Sequence, residues 1–108
     1  MRGNRKMTEK TITKPKIKTK ISLKEPSMFK VIYQNDNKTT YQFVIESAME
    51  YFNYSADAAS DMAQKVNEIG SAVVAVLPLE LAEQKAMEVT VAARSQGFPF
   101  NVQIKEDK

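Results

Sequence analysis

Residues Met28–Val44, MFKVIYQNDNKTTYQFV, compress a strand, a turn and the start of a helix into one short stretch. Val31 and Tyr33 alternate with Lys30, Ile32 and Gln34 at the period of two that marks a half-buried strand. Asn35-Asp36-Asn37 brings side chains that hydrogen-bond nearby backbone and tolerate turn dihedrals, so the strand is expected to stop at Gln34. Thr39, followed three residues later by Gln42, has the spacing of a capping box, in which the hydroxyl and the amide satisfy opposite ends of a helix's first turn. A polar cluster is therefore fixed between the end of a strand and the start of a helix.

Downstream, a helix from Thr40 to about Phe52 carries Phe43, Val44, Ala48, Tyr51 and Phe52 at spacings of three, four and seven, one broad apolar face. Asn53-Tyr54-Ser55 breaks it. Ser55 then reads as the N-cap of a second helix, with Asp57 favoured in its first turn by the helix dipole and Ala59, Met62, Ala63, Val66 and Ile69 as its buried stripe. Gly70 ends that helix in the left-handed region. Ala72-Val73-Val74-Ala75-Val76 is a continuous apolar run, the pattern of a strand covered on both faces and hence central in its sheet. Pro78 opens a third helix, where its missing N–H costs nothing. Ala82, Ala86, Val89, Ala92 and Ala93 face inward along it, and Gly97 closes it. Phe98 to Ile104 alternates as a last, half-exposed strand, and Glu106 to Lys108 should fray. The order β-α-α-β-α-β predicts an α+β two-layer sandwich, a three-stranded sheet with helices on one face.

Upstream the chain changes character. Residues 1–25 carry nine bases against two acids, and residues 26–108 seven bases against eleven acids, so the net charge of +3 conceals a basic leader and a mildly acidic domain. Isolated Ile12, Ile17, Ile21 and Leu23 among Lys and Thr offer too little apolar surface to order the leader. Residues 1–26 are therefore expected to form a flexible basic arm and residues 27–105 the folded domain. Without aromatics for stacking, the arm is a weak candidate for nucleic acid.

Composition also restricts the chemistry. The 108 residues hold neither cysteine nor histidine, which removes thiolate chemistry, the commonest general base and the commonest metal ligand. Asp36 is the only charged ligand in the polar cluster, and no second carboxylate pairs with it, so neither a metal site nor a catalytic site is expected there. No apolar run approaches the roughly 20 residues of a membrane span. The expectation is a non-enzymatic, cofactor-free, monomeric protein of the cytoplasm, with an organelle stroma as the other compatible compartment.

Phe29-Lys30-Val31-Ile32, Asn35-Asp36, Thr39, Phe43-Val44, Lys65-Val66, Gly70, Ala72-Val73, Glu80-Leu81-Ala82-Glu83, Lys85 and Phe98-Pro99 resemble, in this order and spacing, the ClpS family of adaptors of the AAA+ protease Clp. The resemblance spans roughly residues 26–104 and implies the same β-α-α-β-α-β fold. It further implies an adaptor that binds a destabilising N-terminal residue of a substrate protein and delivers the substrate to the Clp unfoldase. Asn35 and Asp36 would receive the α-ammonium, Thr39 and Val66 would line the side-chain pocket, and Glu80 and Lys85 would face the unfoldase's N-terminal domain.

The departures from the family pattern fall in the same region. Asn67 stands where the family has His, Asn37 where it has a second Asp, and Thr40 where a Pro follows the capping Thr. Tyr41 replaces a gate Met, Ala63 a deeper Met, and Phe100 a Leu on the last strand. Tyr41, Ala63 and Phe100 would thus reshape the pocket, and Asn67 would offer the ammonium an amide oxygen in place of an imidazole. Two other readings of the fold are a Clp regulator without cargo and an RNA- or ribosome-associated module acting through the basic arm.

Overall fold

A computed structural model describes residues 27–108; the basic arm expected over 1–26 lies outside the described residues. The elements run β1 (Met28–Gln34), α1 (Tyr41–Phe52), α2 (Ala56–Ile69), β2 (Ser71–Pro78), α3 (Leu79–Ser95) and β3 (Asn101–Glu106), the anticipated order. The three strands form one antiparallel sheet in the order β2-β1-β3. The three helices cover the side to which Val31 and Tyr33 point, both fully buried.

Sheet order departs from expectation. The apolar run Ala72–Val76 lies on an edge strand, and β1 takes the centre. Only Ala72 and Val74 of that run are buried, whereas Val73 and Val76 are 45% and 41% exposed on the uncovered face. The run is apolar on both sides because a bulge displaces it: Val31 pairs with Ala75 and Ile32 with Val73, which leaves Val74 without a partner across the ladder. The Tyr54 hydroxyl donates to the Val74 carbonyl at 2.6 Å, so an aromatic from the α1–α2 turn pins the bulge.

Helix ends follow local chemistry, with one shift. Thr40 rather than Thr39 is the N-cap of α1, its Oγ1 accepting from the Phe43 N–H at 3.1 Å. The capping box does not form, because the Thr39 hydroxyl is engaged by Asp36 and Gln42 reaches forward to Glu46. Ser55 caps α2 by accepting from the Ala58 N–H, and Gly70 ends it at φ +105°. Ile69, expected in the buried stripe, is 72% exposed, since the chain turns away at Gly70 one residue later. Pro78 is the last residue of β2 and the N-cap of α3. The last strand begins at Asn101 rather than Phe98 and runs to Glu106, and the Asp107 N–H still donates to Met28.

The core is aromatic at its centre. The Tyr33 ring meets Phe100 and Phe52 edge to face, with centroids 4.9 and 6.1 Å apart, and Phe43 packs in the same manner on Phe98 and Phe100. Ser47 spends its hydroxyl hydrogen on the Val44 carbonyl, so at the 2.8 Å Tyr33–Ser47 contact the phenol is the donor. Burial holds that phenol far above its ordinary pKa.

Candidate amine-binding cavity

The polar cluster opens into a cavity of about 240 Å³ between the end of β1, the start of α1 and the last turns of α2. Asn35, Asp36, Asn37 and Thr39 line one side of it, and Asn67 stands on α2. Ala63, Val66 and Asn67 share one helix face because spacings of three and four residues bring them together. Val44 completes the apolar part, and Tyr41, 45% exposed, lies at the rim with its hydroxyl 3.5 Å from the Ser60 carbonyl oxygen.

Asp36 is the most constrained group. Its Oδ1 accepts the N–H groups of Lys38 and Thr39 at 2.8 and 2.7 Å, and its Oδ2 accepts the Thr39 hydroxyl at 2.6 Å. Burial by itself would raise its pKa. The hydrogen bonds from Thr39 and Lys38, with a smaller contribution from the Arg94 charge, outweigh burial and hold the carboxyl below its usual range. It is therefore ionised throughout the neutral range. Asn35 is set from both sides: it follows the central strand, and its N–H donates to the Gly70 carbonyl at 2.9 Å, tying the turn to the end of α2.

Eight of the nine residues singled out from the sequence for the pocket line this one cavity. Phe100 does not. It is 1% exposed inside the aromatic cluster, packed edge to face on Tyr33 and Phe43. Two contributors escaped the sequence reading. Val44 follows Tyr41 by three residues, a spacing that signals a shared helix face. Arg94, in the last turn of α3, donates through one guanidinium nitrogen to the Phe98 and Phe100 carbonyls, both at 2.9 Å, and its charge reaches Asp36. Only the tertiary fold brings α3's end that close.

Glu80 and Lys85 lie on α3 outside the cavity. Glu80 is exposed in the first turn, and Lys85 pairs with Glu88 at 3.6 Å, one turn along the helix. Among the described residues no group of three acidic, His or Cys side chains converges to hold a metal ion, and no helix is long and apolar enough to cross a membrane. The cavity thus joins an ionised carboxylate and the side-chain amides of three Asn residues to a small apolar hollow. Such a site suits a cationic head attached to an apolar side chain.

A protein of Wolinella succinogenes named ATP-dependent Clp protease adapter protein ClpS is 38% identical over 90 residues, spanning 83% of this chain and 88% of that protein. The Campylobacter jejuni protein of the same name is 35% identical over 95 residues, 86% of this chain and 99% of its own length. Among solved structures, ClpS2 of Agrobacterium tumefaciens bound to L-phenylalaninamide superposes with a TM-score of 0.75 at 31% identity, over 77% of this chain and all of that one. Residues 24–103 match the family described as ATP-dependent Clp protease adaptor protein ClpS, and the chain belongs to that family.

Proposed function

We propose that this chain is a non-catalytic adaptor that holds the first residue of a substrate protein in the Asp36 cavity and delivers the substrate to an ATP-dependent Clp unfoldase. The observation that carries the reading is the pairing, in one cavity, of the ionised Asp36 with an apolar hollow. An α-ammonium has three donors and no acceptor, and burying it unmatched costs several kcal/mol. Asp36 has spent three of its roughly four acceptor sites on its own turn and keeps one for the ammonium. Asn35 and Asn67 offer amide oxygens from the two sides, and Asn37 and Thr39 close the polar wall. Val44, Ala63 and Val66 take the side chain under Tyr41. The Agrobacterium protein of the same fold binds L-phenylalaninamide, an α-amine beside an apolar side chain, which supports a ligand of this chemistry for the present cavity.

On this reading Glu80 and Lys85 meet the unfoldase, residues 1–26 are a basic N-terminal arm that precedes the domain of residues 27–105, and the protein works as a cytoplasmic monomer with no cofactor and no nucleic acid. The unfoldase, not the adaptor, consumes ATP.

The test is titration with peptides identical except for a first residue of Phe, Tyr, Trp, Leu or Ala, each with a free or an acetylated amine. At least one free-amine peptide should bind ten-fold or more tightly than its acetylated twin, a difference of about 1.4 kcal/mol. Equal binding within every pair refutes amine recognition. Glu80→Lys with Lys85→Glu should then impair delivery to the unfoldase while leaving peptide affinity unchanged.

A further inference from the structure

A second concavity, an open groove of about 400 Å³, lies where the end of α1 meets the middle of α3, lined by Tyr51, Met87, Glu88, Val91 and Ala92. Its floor is apolar and, among the described residues, uncovered: Met87 is 67% and Val91 62% exposed, on a helix whose other side is buried at Ala82, Val89 and Ala93. One exposed Met is ordinary, but two large apolar side chains one turn apart beside a tyrosine make a patch. Its rim is anionic. Glu88 lines the groove and Glu50 precedes Tyr51 on α1; after burial, the charges of both carboxylates hold the Tyr51 phenol above its ordinary pKa. An occupant that matches both features carries apolar side chains interleaved with cations.

Residues 16–24, Lys-Ile-Lys-Thr-Lys-Ile-Ser-Leu-Lys, have that pattern: Ile17, Ile21 and Leu23 stand among Lys16, Lys18, Lys20 and Lys24. The connection has the right length as well. Met28 stands opposite Pro78 in the sheet, and α3 departs from Leu79. Met87 and Val91 lie roughly 12 and 18 Å along that helix at about 1.5 Å per residue. From Met28 back to Ile21 and Ile17 the chain spans at most about 23 and 36 Å at ~3.3 Å per residue. The segment can therefore double back beside α3 and reach the groove with slack.

We propose that residues 16–24 dock in the Tyr51–Met87–Val91 groove of their own chain, with Ile17 and Ile21 on its floor and the flanking lysines against Glu50 and Glu88. Glu88 also holds Lys85, so the docked lysines exchange for Lys85 and link the segment to the helix face that carries it. The docking rests on the groove and the segment alone and stands whether or not the Asp36 cavity binds an amine.

Because the chain has no cysteine, Thr19→Cys in the full chain provides a single attachment point for a nitroxide. The expected result is loss of most methyl signal intensity at Met87 and Val91, with Val73 and Val76 on the far sheet face unaffected. The loss should disappear in the Glu50→Lys, Glu88→Lys chain and at about 1 M salt, where the screening length is about 3 Å. Full intensity at Met87 and Val91, or equal loss on both faces, overturns the docking. Isotope-labelled chain without a nitroxide, mixed with nitroxide-bearing chain, reports a second copy; broadening in that mixture assigns the groove to the copy and also overturns it.

Discussion

Among the described residues three hydrogen bonds hold the Asp36 carboxylate, out of the roughly four that its oxygens can accept. Asp36→Asn keeps the size and much of the turn but removes the charge. It should weaken a free-amine peptide by about ten- to a hundred-fold, the worth of a charge-assisted hydrogen bond of about 1.5–3 kcal/mol, with acetylated peptides unaffected; isothermal titration reads the difference. pH dependence follows from which groups titrate. With no histidine in the chain, affinity should rise as pH falls through the α-amine's value of about 8, then stay level through pH 5. It should fail only where Asp36 protonates, below the ordinary carboxylate range. The sign for stability is the same: a depressed carboxylate pKa contributes stability above its unfolded value, lost as pH falls through the folded one. Asn67→His should put a new inflection near pH 6.5, with binding weaker on the acid side because an imidazolium repels the ammonium. A flat profile in that variant would place Asn67 away from the bound amine.

At the scale of elements, neighbouring hydroxyls decide boundaries that periodicity leaves a residue uncertain. Thr39 and Thr40 are both acceptable caps by type, and the choice falls to Thr40 because Asp36 claims Thr39. Thr40→Ala should therefore cost about 1 kcal/mol of stability with peptide affinity preserved. Thr39→Val should do the opposite, loosening the Asp36 turn and weakening peptide binding more than it lowers the melting temperature. The strand-turn-helix stretch, the Ser55 cap and the Gly70 stop were legible because each depends on contacts a few residues apart. The edge position of β2 was not. A bulge at Val74 and pairing with a strand some forty positions away decide it, and an unbroken Ala/Val run looks the same whether sheet or solvent covers its second face. Phe100 was misjudged for a similar reason: alternation marks it as inward but does not say whether it meets the cavity or the aromatic core behind it.

Taken together, the described residues form a two-layer structure with one face of the sheet left open among them, so its two sides should answer mutation differently. Phe100→Ala removes a fully buried ring and should cost about 3–5 kcal/mol, read by chemical denaturation. Val73→Thr on the open face should change stability by about 0.5 kcal/mol or less. Comparable losses at both positions would mean that something covers the open face in solution. The residues that line the candidate cavity were legible in the sequence, mostly through family resemblance, while the effect of the Arg94 charge on Asp36 was not, since that depends on the chain closing on itself.

The central place of β1 has a consequence for lifetime. Its amides are bonded to a strand on each side, and the Asn35 N–H continues that bonding into the turn by reaching the Gly70 carbonyl. Local openings spread from frayed ends and edges, and the innermost strand opens last. Hydrogen exchange at Val31, Tyr33 and Asn35 should thus proceed only through global unfolding, far more slowly than at Gln103 on the outer strand. A cavity built at the end of that strand does not flicker in and out of existence with local breathing. It persists for as long as the protein itself stays folded.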